Sequence, residues 1–236
     1  MNTYKIAEIM VSMNPQYEPL KTQAIPYESC DTKSLDCIIP QGEEAIFRYQ
    51  KKHPNLTIGE CEYLLYGAFF YDTLLEHQGF FLHASAVVVE SKAYLFSAPC
   101  GTGKSTHTRI WKKVFPDAII LNDDKPAVKL SNRKFFAYGT PFSGKTDLNI
   151  NASYPIQGIC FLERGLQNSI KLMDAKEIII HLMSQTLQPS HEGRLDQMME
   201  LFQQLIKQIP IYKLTCNMDD EAAYVAYHAM QEATGK

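Results

Sequence analysis

The feature that most constrains this chain is a glycine-rich loop that runs from Ala98 to Ser105. It reads Ala-Pro-Cys-Gly-Thr-Gly-Lys-Ser and fits the phosphate-binding pattern GxxxxGK followed by Ser or Thr, except at its first position, where alanine stands for glycine. β-rich residues 93–97 precede the loop, and a helix is predicted over residues 105–115. Glycines allow successive backbone N–H groups to face a phosphate, and the helix N-terminus adds the positive end of its dipole. The chain is therefore expected to fold around a strand–loop–helix unit that binds phosphate groups.

The loop motif predicts how a nucleotide would be held. The residues expected to contact the nucleotide are Pro99, Cys100, Gly101, Thr102, Gly103, Lys104, Ser105 and Thr106. Lys104 would place a point charge on the β- and γ-phosphates, and the hydroxyl of Ser105 would ligate Mg²⁺. The motif thus predicts ATP and Mg²⁺ as cofactors, with a glycine-rich turn before a helix as the alternative.

Two adjacent acids, Asp123 and Asp124, follow the next apolar run, residues 118–121. A strand end in this position can deliver carboxylates to a metal ion and to a nucleophile. One carboxylate can hold Mg²⁺ directly or through water, and the other can accept the proton of an attacking hydroxyl. The alternative is an acidic turn after a strand.

Strand pairing brings His83 to the same place. Two β-rich runs flank the polar residues 90–92, which predicts an antiparallel hairpin. With a three-residue loop His83 faces position 99, and a shift of one residue moves its partner to 98 or 100. Every register places His83 beside the start of the loop, where it can donate a hydrogen bond to a phosphate or tune a carboxylate. A histidine with a purely structural role is the alternative.

Two further segments carry side chains that suit a phosphate or an acceptor. Residues 139–145 follow a second predicted hairpin and offer Gly, Ser and Lys145. Arg164 stands at the end of a predicted strand. A surface turn with a solvated side chain is the alternative for both.

The chain is expected to have two parts. Residues 1–56 combine short apolar pieces with turn residues and predict a small, irregular, strand-containing N-terminal part, whereas residues 57–236 form the domain that carries the loop. Thr57 and Glu60 form a capping-box pattern, which predicts that a helix begins there. The face that this helix is expected to bury carries Leu64, Ala68, Tyr71 and Leu75.

Further strands and helices follow the loop. Strands are predicted over residues 127–130, 135–138, 158–162, 169–173 and 211–214, and helices over residues 174–187, 195–209 and 219–233. Because hairpins join several of the strands, the sheet is expected to be mixed rather than purely parallel. The predicted fold class is α/β, with helices flanking a mixed sheet.

Composition and charge exclude several classes of protein. Hydrophobic residues make up 45% of the 236 residues, which rules out wholesale disorder. The 23 basic and 26 acidic side chains leave a net charge of -3, so neither nucleic acid nor an anionic membrane is expected as a partner. No apolar run approaches the roughly 18 residues of a membrane span. The first residues do not form a signal-peptide pattern and the six cysteines are scattered, so reduced thiols and a cytoplasmic location are expected.

Together these segments resemble the HPr kinase/phosphorylase family and the related P-loop of phosphoenolpyruvate carboxykinases. The resemblance rests on His83-Ala-Ser-Ala-Val-Val-Val, the glycine-rich loop, and Asp123-Asp124, and it covers mainly residues 80–125. The family usually begins the loop with glycine, where this chain has Ala98. Carboxykinases are much longer and have a substrate domain for which this chain has no room. The chain is therefore most similar to stand-alone HPr-kinase-related kinases of the kind found beside peptide-modification systems.

The resemblance implies a mixed sheet with hairpins around the loop and an ATP·Mg²⁺-dependent kinase activity. The acceptor would be a hydroxyl, expected to be that of Ser, on a peptide, a protein or a small molecule. Catalytic roles carry over to His83, Lys104 and Asp123, and the loop serine, Ser105, would ligate Mg²⁺. The family's carboxylate metal ligand has no evident counterpart in this chain. The leading hypothesis from the residues themselves is that Asp123 takes the proton of the hydroxyl and that Asp124 holds Mg²⁺ together with Ser105. The family relationship is also compatible with a homo-oligomer.

Other functions stay open from the sequence. A nucleotide-binding switch module that hydrolyses ATP slowly would need no acceptor. A degenerate loop that only supports the fold would explain Ala98. Pyrophosphate as the donor, and phosphorolysis as a reverse reaction, would use the same loop. The acceptor itself depends on loops that the sequence does not position.

Overall fold

The N-terminal residues form a small sheet of their own. The computed structural model describes residues 2–31, 34–39, 42–144, 146–189 and 193–232. In the small sheet, β1 (Asn2–Ile6) pairs antiparallel with β2 (Ile9–Met13), and β2 pairs in parallel with β3 (Cys37–Ile38). The helical segments of this part are α1 (Leu20–Gln23), a 3₁₀ turn (Ile25–Tyr27) and α2 (Glu43–Lys52). The predicted strand content is observed, while the domain boundary at residue 56 stays a prediction.

α3 (Ile58–Glu76) begins at the predicted capping box. Thr57 Oγ1 accepts a hydrogen bond of 3.2 Å from the N–H of Glu60, and the Glu60 carboxylate accepts one of 2.9 Å from the N–H of Thr57. Most of the buried residues of this helix share an apolar core with the N-terminal sheet, whereas Leu75 belongs to the core of a second, larger sheet. The helix therefore lies between two cores.

The buried face predicted for α3 is partly wrong. Tyr71 and Leu75 are buried as expected, but Leu64 and Ala68 are exposed. Because the helix packs on two sides, apolar residues occur on most of its surface, and their spacing does not select one face. The contacts with the two cores select it instead.

The strands predicted around the loop form one large mixed sheet. Its strands are β4 (Gly79–Phe81), β5 (Ala84–Val89), β6 (Lys92–Ser97), β7 (Ile119–Asn122), β8 (Ala127–Ser131), β9 (Lys134–Tyr138), β10 (Ser153–Arg164), β11 (Ser169–Leu172) and β12 (Ile211–Cys216). β10 runs parallel to both β6 and β12, whereas the other neighbours pair antiparallel. The mixed sheet expected from the hairpins is confirmed.

β10 joins the two halves of this sheet. Its first residues pair with β9, and residues 156–164 run between β6 and β12. The order along the sheet is β4, β8, β9, β10, β6, β5 and β7, and β12 pairs with both β10 and β11. The carboxyl ends of the three parallel strands therefore lie side by side, at the edge where the glycine-rich loop leaves β6.

The hairpin of β5 and β6 has a shorter turn than predicted. Val89 pairs with Lys92, so the turn consists of Glu90 and Ser91, which have φ of 50° and 60°. Two residues with positive φ match the twist of the paired strands, so the turn has two residues rather than three, and the observed register is one of the one-residue shifts that the sequence left open. Continuing the observed register by one residue places His83 opposite position 98.

Helices cover both faces of the large sheet. They are α4 (Lys104–Val114), α5 (Ala175–Ser184), α6 (Arg194–Gln208) and α7 (Glu221–Glu232). Apolar residues of α5 and α6 share a core with one face of the sheet, and those of α4 and α7 share a core with the other face. The predicted helices are thus observed with shifted ends. None of the described helices is long and apolar enough to cross a membrane.

Candidate functional site

The glycine-rich loop follows β6 and leads directly into α4. Gly101 (φ 77°) and Gly103 (φ 122°) have backbone conformations that residues with a Cβ rarely adopt, which explains two glycines of the motif. Ala98, which replaces the first glycine, has no positive φ, and its side chain is buried in the core on the α4 side. The alanine is therefore accommodated without backbone strain.

Lys104 and His83 meet beside the loop. Lys104 Nζ lies 3.0 Å from His83 Nε2 and donates a hydrogen bond of 2.9 Å to the carbonyl oxygen of Ala98. Burial lowers the pKa of Lys104, and the nearby Asp124 carboxylate opposes this shift. Ser97 Oγ donates to the carbonyl oxygen of His83 at 2.8 Å, which connects the histidine to the end of β6. The structure thus places His83 where the register argument predicts, and its catalytic role stays a prediction.

Asp124 extends this pair into a cluster of charges. Its Oδ1 lies 3.3 Å from His83 Nε2, and its Oδ2 lies 2.9 Å from Lys125 Nζ. Burial by itself would raise the pKa of Asp124, but the hydrogen bond with His83 and the charge of Lys125 outweigh burial and lower that pKa. The carboxylate is therefore ionised at neutral pH, as a ligand of Mg²⁺ has to be.

Asp123 faces a different set of groups. Its side chain is buried, and Oδ1 accepts a hydrogen bond of 2.7 Å from Ser85 Oγ on β5. The same hydroxyl lies 3.1 Å from the carbonyl oxygen of Asp123. The structure thus distinguishes the two adjacent acids: Asp124 contacts His83, and Asp123 contacts Ser85.

Nε2 of His83 has two neighbours, Lys104 Nζ and Asp124 Oδ1, and the hydrogen bond of the other ring nitrogen determines how Nε2 can interact with them. Nδ1 lies 3.0 Å from Oε1 of Gln185, an acceptor, so Nδ1 carries a proton. A neutral His83 then presents Nε2 as an acceptor to Lys104, whereas a protonated His83 presents an N–H group to Asp124. Nε2 of His83 therefore lies between the ammonium group of Lys104 and the carboxylate of Asp124.

Gly144, in the candidate contact segment 139–145, lies against Asp124. A Cβ built on Gly144, which has a φ of 70°, would lie 3.1 Å from the Cβ of Asp124. The N–H of Gly144 donates to the hydroxyl of Tyr63 at 3.0 Å. Lys145 lies outside the described residues, so its contact with a phosphate or an acceptor stays a prediction.

Arg164, at the end of β10, binds the glycine-rich loop. Its guanidinium donates to the carbonyl oxygens of Gly101 and Thr102, the second of these at 3.0 Å. In this arrangement the arginine stabilises the conformation of the loop. Its contact with a substrate stays a prediction.

A cavity of about 490 Å³ lies between α4 and the carboxyl ends of β10 and β12. Thr106 and His107 of α4 line one side of it, and Leu162 and Met218 line it from the strand ends. Trp111 Nε1 donates to His107 Nε2 at 3.0 Å, and burial lowers the pKa of His107 to about 4, so this ring is neutral. Ligands of α/β proteins bind beside the carboxyl ends of parallel strands, and the volume is that of a small-molecule site.

The oxygen donors beside the loop suit a magnesium nucleotide. Across the residues that the structure describes, no cluster of three or more His, Cys, Asp or Glu side chains could hold a metal ion. The donors available are the hydroxyl of Ser105 and the carboxylates of Asp123 and Asp124. Mg²⁺ takes one or two such protein ligands and completes its coordination with water and phosphate oxygens. The donor set therefore fits Mg²⁺ that arrives with a nucleotide.

Four residues of the site have no role in the sequence-based prediction: Tyr63, Ser85, Lys125 and Gln185. Lys125 follows the two acids directly, and Ser85 is two positions from His83, so both could have been included by proximity. Gln185 is distant from His83 in the chain and Tyr63 is distant from Gly144. No local pattern indicates either of these two contacts.

The fold of this chain has a distant similarity to that of a protein of known structure. No protein-family model matches the chain, and no curated protein matches it. The structure is similar to that of the Hpr(Ser) kinase/phosphatase from Coxiella burnetii, with 11% sequence identity and a TM-score of 0.38. The match covers 66% of this chain and 97% of that chain. At this identity and score, the similarity establishes neither the family nor the function.

Proposed function

We propose that the protein is an ATP·Mg²⁺-dependent kinase that transfers the γ-phosphoryl group to a hydroxyl of a peptide, a protein or a small molecule. The observation that carries the proposal is the series of contacts beside the glycine-rich loop. Lys104 Nζ lies 3.0 Å from His83 Nε2, which lies 3.3 Å from the carboxylate of Asp124. Phosphoryl transfer spreads negative charge over the transferring oxygens, and positioned N–H donors beside an ionised carboxylate suit that charge and its metal ion.

The nucleotide would occupy the loop and the cavity beside it. The N–H groups of residues 100–106, which include those at the N-terminus of α4, would bind the phosphates, and Lys104 would contact the β- and γ-phosphates. Ser105 and Asp124 would hold Mg²⁺, which would neutralise phosphate charge. Thr106, in the first turn of α4, lines the cavity, so the cavity is the adjacent space for the base and the ribose.

Asp123 takes the proton of the acceptor hydroxyl. The acceptor oxygen forms a bond to the γ-phosphorus while the bond from that phosphorus to the β–γ bridging oxygen breaks, and the hydroxyl proton moves to the carboxylate. Ser85 Oγ binds Oδ1 of Asp123 and orients the group, which leaves Oδ2 to receive the proton. Lys104 and His83 stabilise the charge on the transferring phosphoryl oxygens.

The contact of Asp124 with His83 supports a second assignment, in which the two acids exchange roles. The lowered pKa of Asp124 argues against that exchange, because it makes this carboxylate a weaker base than an ordinary aspartate. We therefore keep Asp123 as the base and Asp124 as the metal ligand.

Transfer of label from γ-labelled ATP to an extract of the source cells tests the proposal, with Lys104→Ala as the inactive control. Asp123→Asn is expected to abolish transfer and to leave the affinity for ATP within about twofold of wild type. Asp124→Asn is expected to raise the Mg²⁺ concentration that half-maximal transfer needs. The opposite pattern would exchange the two roles. Label that stays on ATP, or appears only as free phosphate, would favour a nucleotide-binding switch.

A further inference from the structure

The turn that carries Gly144 is held against Asp124 by residues from the N-terminal part of the chain. We propose that Gln23 and Tyr27 are positioning residues, which hold this turn and thereby keep the Asp124 carboxylate in the orientation that phosphoryl transfer needs. The catalytic consequence rests on the proposed function, whereas the contacts that carry it do not.

The turn fits closely over Asp124. A Cβ built on Gly144 would lie 3.1 Å from the Cβ of Asp124 and 3.3 Å from its Oδ2. The backbone of the turn is therefore one wall of the space that the carboxylate occupies. Because the packing is this close, a shift of the turn away from Asp124 would give the carboxylate freedom to rotate. The position of Gly144 thus sets the orientation of the acid.

Both polar groups of the Gly144 backbone are bound by side chains. The carbonyl oxygen accepts a hydrogen bond of 2.9 Å from Nε2 of Gln23, at the end of α1, and the N–H donates to Tyr63 at 3.0 Å. Gln23 is buried, and its Oε1 has no hydrogen-bond partner in the described part of the chain. The bond to Gly144 is therefore what compensates for the burial of this amide, and its loss would leave the whole amide unsatisfied.

A second contact from the same segment acts on the same turn. The buried Tyr27 donates from its hydroxyl to Oδ1 of Asn149 at 2.9 Å. Nδ2 of Asn149 in turn donates to Oγ of Ser143, the residue before Gly144, at 2.9 Å. Two separate hydrogen-bond connections thus run from the N-terminal part to the turn. The N-terminal part is in this way a component of the candidate active site.

Gln23→Leu and Tyr27→Phe test the proposal, with Thr22→Val as the matched control. Leucine removes the donor to Gly144 together with the unpaired oxygen, and phenylalanine removes only the hydroxyl of Tyr27. Thr22 is exposed, and its hydroxyl donates to Glu18 instead. Both test variants are expected to exchange the Gly144 amide faster and to transfer phosphate about tenfold more slowly or worse, with the KM for ATP unchanged and the melting temperature lowered by only about 2–4 °C. Thr22→Val is expected to behave as wild type.

The two readouts separate this inference from the proposed function. Hydrogen exchange of the Gly144 amide is measured without nucleotide, so it does not require transfer. Exchange of the Gly144 amide at the wild-type rate in both test variants would overturn the inference. A loss of transfer that comes with a comparable loss of ATP affinity and a large decrease in melting temperature would also overturn it. Faster exchange in a protein whose wild type transfers no phosphate would refute the kinase proposal while supporting the hold on Gly144. If Gln23→Leu does not fold, Tyr27→Phe decides the question, because it keeps the buried ring.

Discussion

Replacing Asp124 by Asn is expected to destabilise the protein, whereas the same change at Asp123 is expected to be nearly neutral. Asp124 lies 2.9 Å from Lys125 Nζ, and the two side chains are 23% and 21% exposed. Removal of one partner costs about 3–5 kcal/mol for a buried pair, against about 0–1 kcal/mol for an exposed one. At this intermediate burial we expect Asp124→Asn to lower the free energy of unfolding by about 2 kcal/mol.

Asp123→Asn is the matched control for this experiment. Asparagine keeps the Oδ1 oxygen that accepts the hydrogen bond from Ser85, so the expected loss is about 0.5 kcal/mol. In a protein of this size, about 2 kcal/mol corresponds to a decrease in melting temperature of about 4–8 °C. Thermal and urea unfolding of the protein without nucleotide measure both variants against wild type.

The pH dependence of the effect tests its cause. The pKa of Asp124 in the folded protein lies below its value in the unfolded chain. Its ionised form therefore stabilises the protein at pH above the unfolded pKa, and this contribution is lost as the pH falls through the folded pKa. The difference between wild type and Asp124→Asn should be complete at neutral pH and vanish in strong acid. Equal effects of the two substitutions, or a difference that persists in acid, would refute the reasoning.

Three further predictions concern the loop and the N-terminal part. ATP with Mg²⁺ is expected to slow alkylation of Cys100, an exposed thiol in the loop, without affecting the exposed Cys30. Mass spectrometry of the labelled peptides measures both rates, and a Cys100 rate that ATP leaves unchanged would contradict binding at the loop. A Cβ on Gly103 would meet nothing within 4 Å, so Gly103→Ala adds backbone strain alone, about 1–2 kcal/mol. Because the unliganded variant loop can relieve this strain and ATP binding would have to restore it, calorimetry should show binding weakened by about tenfold, and unchanged affinity would contradict binding to the loop in the observed conformation. Gly59→Ala places a Cβ 1.7 Å from the carbonyl oxygen of Glu18, so the contact between α3 and the N-terminal part must open. Urea unfolding should show a loss of at least about 2 kcal/mol, and a loss below about 0.5 kcal/mol would show that the backbone adjusts at little cost.

The parts of the fold that were predictable have local causes. The capping box at Thr57 uses groups three residues apart, and the turns of the hairpins connect strands that are neighbours in the chain. The placement of His83 belongs to this class, because a hairpin determines its own register to within a residue. The sequence left positions 98, 99 and 100 open as partners of His83, since the length of the turn depends on backbone conformations that the polar residues 90–92 do not reveal, and the structure selects position 98.

The buried face of α3 shows why local patterns fail elsewhere. This helix packs against two cores, so apolar residues occur around most of its circumference and their spacing cannot indicate which of them face inward. Leu64 is 39% exposed, although its spacing matches that of the buried Tyr71. Only the positions of the neighbouring elements determine the answer.

The sequence by itself determined the glycine-rich loop, the strands on either side of it and the presence of two acids at the end of β7. These features depend on glycine spacing, alternation and short connections, which leave a signature within a few residues. The tertiary structure decided which acid faces His83 and what surrounds the pair. Gln185, Tyr63 and Gln23 reach the site from distant parts of the chain. Contacts of this kind depend on how helices and strands pack together, and a single amide or hydroxyl leaves no periodic trace in a sequence.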